Sequence, residues 1–161
     1  MDFLEKDLEE IIYNTPTVDL WNRHLFLAGK RYRQLNIGSY GVADLVFAQR
    51  TPKALEINVV ELKKDKIGIS AFLQAIGYAR GIKRYLEFRN FSFEYNIRVT
   101  LIGRTFDKNS TYSFLADVIN DFTRDEIYNE FLENYTYNYG LNGIIFEKQQ
   151  DYSNVNETWI K

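Results

Sequence analysis

The sequence predicts an α/β fold built on one mixed sheet. Three short segments between residues 30 and 63 are extended in character and joined by turn-forming residues, as an antiparallel meander requires. A long helical pattern, 69–88, then leads into an almost continuous apolar run, 95–106, which marks a strand buried on both faces. One helical segment stands ahead of the meander, and further helical and extended segments follow the buried strand. That order of elements gives the class.

Each element has its own signature. DFLEKDLEEIIY (2–13) sets Leu4, Leu8, Ile11 and Ile12 at helical spacing. Asp2 is suited to cap this helix, and Pro16 in NTPT stops it. Glu5 and Glu9 lie four residues apart, one above the other beside the apolar stripe. VDLWNRHLFLAG (18–29) is ambiguous between a short helix and a loop, with Trp21 and Leu25 expected inward. KRYRQLNI (30–37), VADLVFA (42–48) and LEINVVELK (55–63) are the meander strands, turned by GSYG (38–41) and QRTPKA (49–54).

ISAFLQAIGYARGIKRYLEF (69–88) reads as a helix with Ser70 as its N-cap. Phe72, Ile76, Ala79, Ile82 and Leu86 form its core stripe, while Gln74, Tyr78, Gly81 and Tyr85 share a second face. Gly77 and Gly81 each cost about 1 kcal/mol relative to Ala inside a helix, so a close approach by another segment is expected there. YNIRVTLIGRTF (95–106) is the fourth strand. TYSFLADVIND (111–121) and DEIYNEFLENY (125–135) read as helices, and GIIFEKQQDY (143–152) as a last strand.

At 161 residues the chain is expected to form a single domain, 1–161, with a core over about 2–106 and an extension over about 107–161. Cysteine is absent, which excludes a disulfide framework and a thiolate metal site. No apolar run approaches a membrane span and the acidic start MDFLEKDLEE lacks a signal-peptide core, so no membrane partner and a cytoplasmic location are expected. The net charge is −2, but it is unevenly spread: residues 20–90 carry 13 Lys and Arg against 5 Asp and Glu. A basic middle between acidic flanks is either a solvated face or a footprint for phosphate. Lys64, Lys66, Arg80, Lys83 and Arg84 are the candidates to line it. His24, the sole histidine, has no companion that would make it a ligand or base and is read as structural, and Tyr78 and Tyr85 are read as packing at the edge of the core.

Three charged residues sit on ground that disfavours them. Asp44 interrupts an apolar strand, sharing a face with Val42 and Val46. Glu61 follows INVV on the next strand, and Lys63 comes two residues later on the same side, opposite Val60 and Leu62. Glu61 and Lys63 are either a surface ion pair or a metal ligand beside a working amine. A buried ion costs several kcal/mol unless it is paired or coordinated, and two neighbouring carboxylates need more positive charge than one lysine supplies. Hard oxygen donors without Cys or clustered His suit Mg²⁺ or Mn²⁺. Asp44, Glu61 and the Leu62 carbonyl are the expected ligands. Lys63 is placed to orient or deprotonate the attacking water, and Gln74 to hold that water or a phosphate oxygen.

GVADLVF, then VVELKK, then QAIGYA resembles the PD-(D/E)xK nuclease superfamily, whose pattern is Asp on the second core strand, Glu-x-Lys on the third and often Gln on the next helix. The resemblance covers residues 2 to about 106. It implies a restriction-endonuclease-like αβββαβ core with a mixed central sheet flanked by helices, plus C-terminal α/β additions. Carried over by position, it makes Asp44 and Glu61 metal ligands, Lys63 the catalytic lysine and Gln74 the helix glutamine. Glu5 or Glu9, with Glu5 favoured, becomes the first-helix acid. RYRQLNIGSYGVADL also looks like the run leading into the motif in a branch of mismatch or structure-specific endonucleases, with Arg33 and Gln34 ahead of the Asp. Ala43 departs from the older signature, which has Pro. The resemblance implies a Mg²⁺- or Mn²⁺-dependent DNA endonuclease, working alone or as a homodimer. The residues do not distinguish DNA from RNA as substrate. The alternative of a different class is a catalytically silent module of the same fold that binds nucleic acid or a protein partner.

Overall fold

Helix α1 (Glu5–Asn14) forms where Leu8 and Ile12, one turn apart, both reach zero exposure. In the computed structural model, which describes residues 5–123 and 131–149, it is followed by a short helix α2 (Thr17–Asn22) and then by strand β1 (Lys30–Asn36). The 18–29 stretch thus resolves into a helix and a loop. Leu25 is buried, whereas Trp21 stays 46% exposed with its indole Nε1 donating to the Leu27 carbonyl at 3.1 Å, so the expectation of an inward Trp21 is corrected. Asp2 and Leu4 lie outside the described residues.

Strands β2 (Val42–Arg50) and β3 (Leu55–Leu62) complete the antiparallel meander, joined to β1 by a 3₁₀ turn at Gly38–Tyr40. Helix α3 (Ile69–Phe88) then crosses over, and β4 (Tyr95–Gly103) lies parallel to β3. Helix α4 (Thr111–Thr123) makes the second crossover to β5 (Leu132–Gly140), parallel to β4, and β6 (Gly143–Gln149) closes antiparallel on β5. The six strands follow chain order across one mixed sheet, which makes the fold α/β.

Period-two alternation sorts the strands' apolar residues between two layers. Val46, Val59, Val99 and Leu101 face α3 and α4, packing on Phe72, Ala75, Ala79 and Ala116. Leu45, Val60, Leu62 and Ile102 face the other way, onto Leu8, Ile12 and Leu20. β4 carries buried residues into both layers, as its continuous apolar run required.

Three expectations are corrected. Helix α3 is capped by Gly68 without a side-chain hydrogen bond, and Ser70 lies inside its first turn. Of the two helix glycines only Gly81 meets a close neighbour. A Cβ there would fall 2.5 Å from Ile37 Cγ2 and 2.9 Å from Tyr40 Cβ, whereas at Gly77 nothing lies within 4 Å. Residues 132–135, read as the end of a helix, are the start of β5. The rest of that expected helix, 125–130 except its already described end, lies outside the described residues, as do 150–152 of the last strand.

Candidate active site

The sheet opens where β2 meets β3. The ladder between them runs up to Leu45↔Val60, while β3 continues beside β4 as far as Leu62↔Ile102. The Leu62 N–H, with no β2 residue opposite it in the ladder, donates to Asp44 Oδ2 at 3.2 Å. Asp44 is therefore held by the gap it occupies. Glu61 lies on the adjoining strand, only 5% exposed, and its Oε2 is buried without a hydrogen-bond partner.

Burial pushes both carboxyl groups up. Glu61 is driven to about 8, first by loss of water and then by the neighbouring Asp44, with Lys63 opposing. Asp44 is raised chiefly by burial and further by Glu9 and Glu5, against the lowering effect of the Leu62 N–H. Two carboxyls that resist ionisation side by side form a site deficient in positive charge.

Lys63 sits at the mouth, one residue beyond β3. Its Nζ lies 3.9 Å from Glu61 Oε1 and donates to Gln74 Oε1 at 3.2 Å. Gln74 is in the second turn of α3, so the crossover that makes β4 parallel to β3 also brings the amide to the amine. Asp44, Glu61, Lys63 and Gln74 thus converge. The Leu62 side chain points into the opposite layer, as expected for its place between Glu61 and Lys63.

The two first-helix acids do different things. Glu5 is exposed and accepts a hydrogen bond from the Lys64 N–H at 3.0 Å, reaching the rim from above. Glu9 is 5% exposed and tied through both oxygens: Arg33 Nε donates to Oε2 at 3.0 Å, and the Gln34 amide donates to Oε1. With Lys6 and Asp44 these four residues line a cleft of about 470 Å³. Glu5 keeps an exposed carboxylate at the site, whereas Glu9 is committed to its two partners.

Two further residues stand at the site: Gln34, named in the sequence only as leading into the motif, and Tyr78, read there as packing. Gln34 adopts φ +50°, and the β1–β2 ladder skips it, pairing Arg33↔Leu45 and Leu35↔Ala43. The unpaired position is the one opposite Asp44, and the left-handed backbone belongs to the residue whose amide holds Glu9. Tyr78 stands one turn beyond Gln74 on α3. Its ring lies against Gly41, where a Cβ would fall 2.9 Å from Cε1, and its phenol is pushed up by burial first and then by Glu61 and Asp44. The i+4 spacing from Gln74 was the signal that marks Tyr78; Gln34 was marked only by its place in the run before Asp44, and its left-handed backbone leaves no local signal.

The basic candidates Lys64, Lys66, Arg80, Lys83 and Arg84 are all exposed. Lys66 pairs with Asp107 at 3.4 Å and Arg84 with Glu87 at 3.3 Å. His24, at φ +67°, donates its N–H to the Trp21 carbonyl just after α2, a structural place.

The orphaned Glu61 Oε2, the adjacent Asp44 and the all-oxygen donor set fit a hard divalent cation. Held by so few side chains, an ion here would keep several waters, as Mg²⁺ usually does. No protein-family model, no curated protein and no solved structure matches this chain. The molecule is an α/β protein with helices flanking a six-stranded mixed sheet, and no helix among the described residues is long and apolar enough to cross a membrane.

Proposed function

We propose that this chain is a metal-dependent phosphodiesterase of the PD-(D/E)xK nuclease superfamily, with the restriction-endonuclease-like core, cutting DNA as an endonuclease. The observation that carries this reading is the buried, unpartnered Glu61 Oε2 beside Asp44. A pair of carboxyls built away from water and short of positive charge is costly to keep unless a cation uses it.

Asp44, Glu61 and the Leu62 carbonyl would hold Mg²⁺ or Mn²⁺. Bound there, the ion supplies Lewis acidity toward a phosphoryl oxygen and makes water a stronger acid. The chain's own residues do the rest. The Leu62 N–H keeps the Asp44 carboxylate turned toward Glu61. Gln74 fixes the Lys63 ammonium at the mouth, where it can meet a phosphate oxygen or pass a proton to or from water. Glu5 anchors the Lys64 backbone, steadying the segment that carries Lys63.

The test is a panel of single-stranded, duplex, nicked, flapped and branched DNAs, with RNA controls, incubated with Mn²⁺ or Mg²⁺. Cleavage is expected with the wild-type protein, with a loss of about 10³-fold or more in Glu61→Ala and Lys63→Ala while the fold is retained. Normal cutting by either variant would refute the assignment of roles. A second reading is a catalytically silent module that binds nucleic acid or a partner. Binding without cleavage under every metal condition would favour it.

A further inference from the structure

Beside the candidate active site, across the Gly38–Tyr40 turn, lies a groove of about 860 Å³ between the C-terminal half of α3 and the open face of β1 and β2. α3 packs over β3 and β4 and leaves this face uncovered among the described residues. Four aromatic rings line it: Tyr32, Tyr40, Tyr85 and Phe88, exposed by 38, 42, 56 and 82%. Arg84 joins them with its ion-pair partner Glu87 at 3.3 Å, and no Asp or Glu is among the lining residues themselves. Two more cations stand on the ring faces, Lys30 Nζ at 5.2 Å from the Tyr32 centroid and Arg89 Cζ at 5.6 Å from that of Tyr85. Asn36 and Ser39 add uncharged polar groups at the rim.

We propose that this groove binds unpaired nucleotides of a nucleic-acid strand, stacking bases on Tyr85 and Phe88 while Lys30 and Arg89 meet the phosphates. The pairing of exposed rings with cations is the chemistry that holds single strands, because each base has a stacking face and each linkage a negative charge. A second copy of the chain fits less well. It would set the groove's own cations, Lys30 and Arg89, against their like-charged counterparts. A duplex, whose bases are already stacked, offers no ring to the groove.

The groove and the site lie on either side of one turn against the same helix. The turn that forms its wall presses on Gly81 of α3, and the next residue, Gly41, presses on Tyr78. Tyr85 stands eleven residues beyond Gln74 on the same helix, about 16 Å along its axis. A strand held in the groove would reach the carboxylates by passing over the outside of that turn. The proposal rests on the nucleic-acid reading of the site, not on its hydrolytic chemistry.

The test is fluorescence anisotropy with a labelled single-stranded oligonucleotide and its duplex, in EDTA so that nothing is cut. A second single strand carries 2-aminopurine to report stacking. Tyr85 and Phe88 are exposed, so Tyr85→Ala/Phe88→Ala should fold normally, which the thermal transition checks. Wild-type protein is expected to prefer the single strand and to quench 2-aminopurine. The double variant should lose about tenfold or more in single-strand affinity, together with the quench. Unchanged single-strand affinity, or an equal loss toward duplex, would overturn the proposal. So would conversion of a dimer to monomer in sedimentation with single-strand binding intact. Groove-dependent binding by a protein that cuts nothing in Mn²⁺ would support this inference and count against the hydrolytic reading alone.

Discussion

Glu61 connects the site's electrostatics to a solution property. In the unfolded chain its carboxyl loses its proton in the ordinary range, whereas in the metal-free folded protein it holds it to about 8. Between those values unfolding releases a proton, so stability falls as pH rises through the window and stays lower above it. In EDTA the melting temperature is expected to decline from pH 5 to pH 8. Glu61→Gln, which cannot ionise, should flatten that decline, and a slope as steep as wild type would show that Glu61 is not the group responsible. Asp44, Glu61 and Lys63 stood out as candidates because a charge inside an apolar strand is anomalous and because strand alternation tells which charges share a face, while Gln74 was marked only by its place on the helix that follows. Glu5 and Glu9 were not separable, since neighbours on one helix face have the same signature. Only contact with Arg33, Gln34 and the Lys64 backbone distinguishes them.

At the scale of elements, the two glycines of α3 make opposite predictions. Gly77→Ala meets nothing and removes backbone freedom from the unfolded chain, so it should stabilise by roughly 0.5–1 kcal/mol. Gly81→Val would drive methyl groups into Ile37 and Tyr40 and should cost about 1–3 kcal/mol. Thermal or denaturant unfolding of both variants checks the pair, and equal effects would place the turn at Gly38–Tyr40 wrongly. Helix α1, the three meander strands and α3 were read correctly because each carries a clear period and a turn at its ends, whereas α2, at six residues, was too short to tell from a loop. The segment ending at 135 was misread for a physical reason. Phe131, Leu132 and Tyr135 have helix-like spacing, but β4 leaves a hydrogen-bonding edge that Leu132–Thr136 fills. Asn120 reinforces the choice, exchanging two hydrogen bonds with the Leu132 backbone. Pairing with a distant edge overrode local pattern.

For the whole molecule, a ligand that binds only the folded state raises stability with its concentration. Titrating Mg²⁺ or Mn²⁺ should give saturable stabilisation, about 2.7 kcal/mol at a hundredfold excess over the dissociation constant. The gain should be lost in Glu61→Ala, and an equal gain in that variant would mean that the ion binds elsewhere. The sheet order makes such a site expensive to build piecemeal: Asp44 comes from β2, Glu61 and Lys63 from the end of β3, Gln74 from the crossover helix and Glu5 from α1. The sequence by itself determined the α/β class, the meander, the long helix and the three charged residues most out of place, because periodicity and misplaced charge are local properties that can be read along the chain. The tertiary structure alone decided which first-helix acid stays available, that Gln34 breaks the ladder opposite Asp44, and that an aromatic groove opens beside the site. Those depend on distances between segments far apart in the chain, and only the packing of one element on another sets them.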